Sequence, residues 1–457
     1  MNEITEKSVF YKKAMKMILP IVVQNLLSAT ISSTDIIMLN SVGQSAISAV
    51  SLASQYTSIL FMFFYGLGTG ATMLCAQYYG KGDMKAIDAV EGIALRFSIA
   101  VSTIFAVAVL VIPEYMMLVF TSDTELIAIG ASYLRIVSVS YLCWGVTEIY
   151  MSVLKSIGRV TICTALNLIA FVFNIILNAV FIFGLFGAPK LGAAGVAIGT
   201  TLSRVIQLIC CMAVSAHSKN VKMKLSFMFI RNKLLLHDFV HLSLPALGND
   251  VVWGLAFSMY SVIIGHLGSD VVAANSFVIV ARNFGTILCF GVGSATGILL
   301  GNEIGENRIE GARIDAKRLM KLTVASGAIG GLLILGATPF ILQYASLTPT
   351  AMHYLKYMLL INTYYVMGAA VNTTLIAGAF RAGGDSRFGF ICDTITMWCY
   401  AVPLGFISAF VLKLPVLAVY FLLCTDEFVK WPIVLKHYKS GKWLKNITRD
   451  NLFAEEK

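Results

Sequence analysis

Twelve apolar runs separated by short polar stretches make up most of the chain. They lie near 14–37, 46–76, 92–112, 126–154, 160–186, 192–215, 239–264, 272–300, 318–338, 350–380, 388–411 and 415–436. Each is long enough to cross a bilayer as a helix, which takes roughly 20 residues. The first run follows Lys12, Lys13 and Lys16 and stays apolar past Ile31 with no small-residue cleavage site. It therefore reads as a retained first helix rather than a removed signal peptide. The pattern predicts an all-α membrane protein with twelve transmembrane helices, numbered here as segments 1 to 12.

The two halves of the pattern repeat. Segment 1 carries LPIVVQNLL from Leu19 and segment 7 carries LPALGNDVV from Leu244, which sets Pro20 on Pro245. The same register, held without a gap, sets Gly43 on Gly268, Ala49 on Ala274, Gly66 on Gly291, Gly68 on Gly293 and Gly80 on Gly305. One residue further out of register, Leu154-Lys155-Ser156-Ile157-Gly158 meets Phe380-Arg381-Ala382-Gly383-Gly384. Six spans per half mean that both halves enter the membrane in the same sense, so an axis along the membrane normal should relate them. The expected organisation is a six-helix lobe over 1–216, a cytoplasmic linker over 217–237, a second six-helix lobe over 238–436 and a cytoplasmic tail over 437–457. The repeated glycines suit close helix packing or bending as lobes move.

Composition narrows the function. Of 457 residues, 58% are hydrophobic and 13% charged, with a mean hydropathy of +0.81. That is about half the charged share of a soluble globular protein, and it excludes a soluble enzyme, a disordered chain and a nucleic-acid module. The net charge of +10 reflects basic loops on one side of a membrane. With the N-terminus inside, the outer loops hold only Lys190 and Lys413. Arg135, Arg204, Arg282 and Lys356 fall inside segments, and every other basic residue, Lys430 included, is assigned to the inner side. Excess Lys and Arg on the inner side places both termini in the cytoplasm of a plasma-membrane protein. Nine cysteines without a CxxC pair provide no disulfide or zinc framework.

Ionisable side chains within spans are costly and mark function by default. Asp35 lies in the outer half of segment 1, about 28 Å above Lys16 by helical rise. Asn178 of segment 5 has a similar height above Arg159, and Asn174 lies one turn below it on the same face. The three converge on one pocket in the first lobe if the segments are adjacent. A carboxyl with two amide carbonyls suits either a proton or a hard cation such as sodium. The alternative is a solvated aspartate at the outer mouth. In the repeat Asp35 falls opposite Tyr260, so the lobes differ chemically. Asp250, which aligns with Asn25, lies near the depth of Arg282, and the spacing predicts an ion pair between them, serving either lobe packing or transport. Long basic chains such as Arg135, Arg204 and Lys356 are expected to snorkel. Aromatic and Met side chains in a cleft suit a permissive apolar, cation-accepting site.

VSLASQYTSILFMFFYGLGTGATMLCAQYYGKGD from Val50 resembles the second helix and following loop of the multidrug and toxic compound extrusion (MATE) family. So do its partner AANSFVIVARNFGTILCFGVGSATGILLGNEIGENR from Ala273, NIILNAVFIFGLFGAPKLGAAGVAIGT from Asn174 and RAGGDSR from Arg381. The resemblance covers almost the whole chain. It implies two six-helix bundles that export amphiphilic, often cationic, compounds in exchange for sodium ions or protons. It also implies ion-coupling roles for Asp35 and Asn174, while Asn178 stands where many members carry a second aspartate. In the second lobe some relatives have an acidic residue near Ala370. Here Asn372 and Thr373 are nearby instead.

Other classes are less well served. His237 and His241 are spaced like a helical zinc-protease pair, but Asp238 replaces the required Glu and no third ligand is evident. The chain has no GxxxxGK[ST] loop, so ATP is not its energy source. The expectation is a cofactor-free, monomeric transporter, not an enzyme, whose partners are small amphiphiles and membrane lipids. A flippase for lipid-linked saccharides is the nearest alternative, and it would need several buried Arg and Lys for phosphates.

Overall fold

In the computed structural model the described residues are 3–39, 41–218, 221–345, 347–450 and 452–453, and among them there is no strand. Lys219, in the expected linker, and 454–457 of the expected tail lie outside the described residues. The span-forming helices are α1 (Glu3–Leu39), α2 (Gln44–Lys81), α3 (Met84–Val111), α4 (Thr124–Ser156), α5 (Val160–Phe183) and α6 (Ala193–His217). The second set is α7 (Lys233–Gly265), α8 (Ser269–Gly305), α9 (Ile309–Tyr344), α10 (Pro349–Phe380) and α11 (Ser386–Val411). It ends in a broken α12 built from Val416–Leu423, Asp426–Val429 and Trp431–Ser440. Among the described residues, α2 to α11 each hold an apolar stretch long enough to span a bilayer, and α1 and α12 complete the twelve.

Polar side chains cap the starts of three of these helices. Asp83 accepts from the Ala86 amide at 3.0 Å and starts α3. Asp123 accepts from the Glu125 amide at 2.9 Å and starts α4. Thr348 accepts from the Ala351 amide at 3.1 Å, with Pro349 in the first turn of α10. Each side chain satisfies an amide that the first helical turn leaves unpaired.

The repeat is visible in the backbone itself. Gly43 and Gly268, paired by sequence, both have positive φ, at 136° and 125°. Gly158 and Gly384 repeat the match at 80° and 76°. A side chain at these angles is strained, so both halves make the same turns with the same residue.

The chain forms two compact units. One holds Val23–Tyr79 and Asp83–Ser243. Within it α3 packs on α4, and α6 on both α4 and α5. Its core includes Leu60, Phe64, Tyr141 and Val196. The linker belongs to this unit, where Arg96 of α3 donates to the Ile230 carbonyl at 3.2 Å. The other unit holds the start of α1 through Val22, the turn Gly80–Gly82 and Leu244–Arg449. There α8, α9 and α10 pack mutually around residues such as Val278, Ile334, Leu359 and Val366. Large apolar side chains stand exposed on the outer helices, including Ile104, Val111, Leu332 and Phe340. Such a surface is at home in hydrocarbon, where backbone groups must be satisfied within each helix.

Segment 12 departs from a single helix over 415–436. It breaks after Leu423 and again at Lys430, where Asp426, Glu427 and Lys430 turn into the unit. The neighbouring stretches Thr373–Phe380 of α10 and Thr394–Ala401 of α11 are wound as π-helix, a local widening often found beside functional residues.

Candidate functional site

The first unit brings Asp35, Asn174 and Asn178 together. Asn178 Nδ2 donates to Asp35 Oδ1 at 2.6 Å and to Asn174 Oδ1 at 3.4 Å. Asn174 Nδ2 donates to Thr200 Oγ1 of α6 at 3.3 Å. The i,i+4 spacing on α5 sets both asparagines on one helix face, and both are buried. Asn178 Oδ1 is buried without a hydrogen-bond partner among the described residues. An orphaned carbonyl beside a carboxylate has acceptors for a proton donor or a hard cation. Gly199 of α6 makes this approach possible, because a methyl group there would overlap the Asn178 carboxamide.

Arg204 lies on α6 one turn past Thr200. The expectation that it snorkels is not met. Its guanidinium lies 4.5 Å from the centre of the Trp144 ring and donates to Gln207 Oε1 at 3.0 Å. Gln207 donates in turn to Asn167 Oδ1 at 2.8 Å. Aromatic and amide partners thus hold the guanidinium within the unit.

In the second unit the expected Asp250–Arg282 pair does not form. Asp250 Oδ1 instead accepts from Arg381 Nη2 at 3.0 Å. The Arg282 guanidinium lies 4.6 Å from the centre of the Phe257 ring and 5.7 Å from that of Tyr365. Rise counting put Asp250 and Arg282 at one depth, but the guanidinium meets α7 at Phe257, about two turns beyond Asp250, and counting carries no information on how α7 and α8 are rotated.

Asp250 opens a buried network that the sequence reading did not find. Arg381 also donates to Asn249 Oδ1 at 3.0 Å, and Asn249 Nδ2 donates to Asp393 Oδ2 at 2.6 Å. Lys430 Nζ lies 2.9 Å from Asp393, 3.1 Å from Glu427 and 3.9 Å from Asp426. Asn372 Nδ2 donates to Glu427 Oε2 at 2.6 Å, and Tyr260 Oη donates to Asp426 Oδ2 at 3.4 Å. Asp250, Tyr260 and Asn372 therefore do share one polar assembly, and Arg282 stands outside it. Lys430 is 1% exposed, not part of a solvated inner surface as its place near the tail suggested. A signal was available, since Asp393, Asp426, Glu427 and Lys430 all interrupt apolar segments.

The MatE family model matches residues 20–180 and again 247–407, one match in each half. The chain belongs to the MatE family. This MatE member is 25% identical to the multidrug resistance protein NorM of Vibrio cholerae over 87% of this chain and 88% of that protein. It is 22% identical to an uncharacterized transporter, YisQ, of Bacillus subtilis over 93% of each. Among solved structures, the MATE transporter VcmN of Vibrio cholerae in its bent form superposes with a TM-score of 0.85 at 16% identity, over 96% of this chain and all of that one. The likeness identifies the fold as that of a MATE transporter, an all-α, twelve-helix, multi-pass membrane protein.

The first-unit cluster makes a direct prediction. Gly199→Ala is expected to displace the Asn178 carboxamide from Asp35 and lower transport several-fold at normal expression. Wild-type transport by that variant would show that the Asp35–Asn178 contact is dispensable.

Proposed function

We propose that this MatE transporter exports amphiphilic, often cationic, compounds from the cell in exchange for sodium ions or protons, by alternating access. The observation that carries the reading is the contact of the half-buried Asp35 with the buried Asn178–Asn174 pair on membrane-spanning helices. The place of Asp35 on a membrane-spanning helix gives the carboxyl a reason to bind a proton or a cation, and release on the other side would couple that ion to substrate movement. The names of the NorM relatives support compounds of the multidrug type. The basic loops support a plasma-membrane location with both termini in the cytoplasm. The flippase alternative is less well supported, because Arg381 and Lys430 are held by carboxylates and are not open to a pyrophosphate.

The residues of the cluster fit either ion. Asp35 would hold the proton, or would bind sodium together with the Asn178 carbonyl. Dye efflux from proteoliposomes, with sodium and pH gradients imposed separately, tests the proposal. Efflux driven by one gradient and not by the other identifies the ion. Equal efflux without any gradient would overturn exchange.

A further inference from the structure

Arg282 is a cation within a membrane-spanning helix that lacks a counter-charge. Arg381 and Lys430, its neighbours in the same unit, each contact a carboxylate. Arg282 makes no ion pair among the described residues, and its guanidinium contacts are the rings of Phe257 and Tyr365. Ring faces stabilise a guanidinium but leave its in-plane N–H donors unused. Those donors line a cavity of about 20 Å³ that is also bordered by Tyr260, Asn275 and Tyr420. One water needs roughly 10–15 Å³, so the space takes one or two waters or a small head group of similar size. The network carboxylate that bonds the cavity residue Tyr260, Asp426, lies 3.9 Å from Lys430, so its charge is already offset.

We propose that this cavity binds the carboxylate of an amphiphilic substrate, with Arg282 taking the charge and the apolar body left outside the cavity. A planar guanidinium matches a carboxylate in a two-point hydrogen-bonded fork. A single basic group in the lining favours a monoanion over a phosphate monoester. The Asn275 side-chain amide borders the cavity as well and supplies a further donor. That the bound group belongs to an exported compound rests on the export reading above. The binding itself does not.

The test is calorimetric titration of the full chain in phosphatidylcholine nanodiscs with three ligands of one shape: 1-naphthaleneacetate, 2-(1-naphthyl)ethanol and 1-naphthylmethylammonium. A charge-assisted pair predicts that the wild type binds the carboxylate about tenfold or more tightly than the alcohol. Arg282→Gln is expected to erase that preference and Arg282→Lys to keep part of it. Equal affinity of the wild type for acid and alcohol would overturn the proposal, as would an unchanged preference in Arg282→Gln. Competition by phosphatidylglycerol without measurable naphthaleneacetate binding would reassign the cavity to a lipid headgroup and equally overturn it. The wild-type comparison decides the matter even if the variants fold poorly. No gradient is applied, so failed export in proteoliposomes would overturn the transport reading and leave this result standing.

Discussion

An Asp35→Asn variant is expected to reach the membrane at wild-type levels and to lose export against a gradient. The substitution keeps nearly the same volume and removes both the charge and the site of protonation. Its amide would still meet Asn178, the group that now donates to Asp35 at 2.6 Å, so the helix contact can re-form after an amide flip and the fold should survive. Ion coupling cannot be replaced in this way. Asn174 and Asn178 offer carbonyl oxygens but no exchangeable carboxyl proton, and an all-amide site holds a cation without a formal counter-charge. Coupling free energies of 1–3 kcal/mol correspond to roughly 5–150-fold in affinity, and a loss of that size would reduce export to leak. Asn178→Asp in the Asp35→Asn background returns a carboxylate to the contacting position and should recover part of the activity. Dye efflux and resistance of cells expressing each variant measure both effects. Wild-type resistance in a well-expressed Asp35→Asn protein would sink the coupling role and move Asp250 to the front.

Lys430→Met is expected to be the most damaging substitution for stability. Lys430 lies within 4 Å of Asp393, Asp426 and Glu427, and each of those carboxylates is buried. Removing the ammonium leaves like charges facing one another away from water. Breaking a buried ion pair by deleting one partner costs about 3–5 kcal/mol. Adding Asp393→Asn and Glu427→Gln to Lys430→Met should restore much of the loss, because neutral amides keep the hydrogen bonds without the repulsion. Thermal unfolding of the detergent-purified proteins by size-exclusion fluorescence checks both arms. A Lys430→Met protein that melts with the wild type would show the cluster to be hydrated rather than ion-paired. The two substitutions separate the roles of the two units: the first should spare stability and abolish coupling, and the second should act on stability.

Much of this architecture was legible along the chain. Hydropathy located eleven of the twelve spans as continuous helices, because crossing hydrocarbon constrains each segment independently of its neighbours. The repeat was legible for a related reason. Gly43 and Gly268, like Gly158 and Gly384, are required by local backbone angles, and a local requirement leaves its mark on a single position. The first-unit cluster was legible in part. Asp35, Asn174 and Asn178 are conspicuous on apolar helices, and two of them share a face by simple periodicity. Gly199, which admits the Asn178 carboxamide, was not legible, because its importance depends on the helix it meets.

The second unit marks the boundary. The sequence by itself determined how far along its helix each of Asp250 and Arg282 lies, by counting residues at a fixed rise. It did not determine that Asp250 would meet Arg381 while Arg282 would lie against Phe257. Partner choice between helices depends on rotation about each axis, and that rotation is set by packing against several neighbours at once. The same reason hid Lys430. Its position near the last span predicted a solvated end, and only the break in α12 and the converging carboxylates of α11 and α12 turned it inward. Position along a helix is a one-dimensional property and can be read from the chain, whereas the direction a side chain faces is decided by tertiary structure.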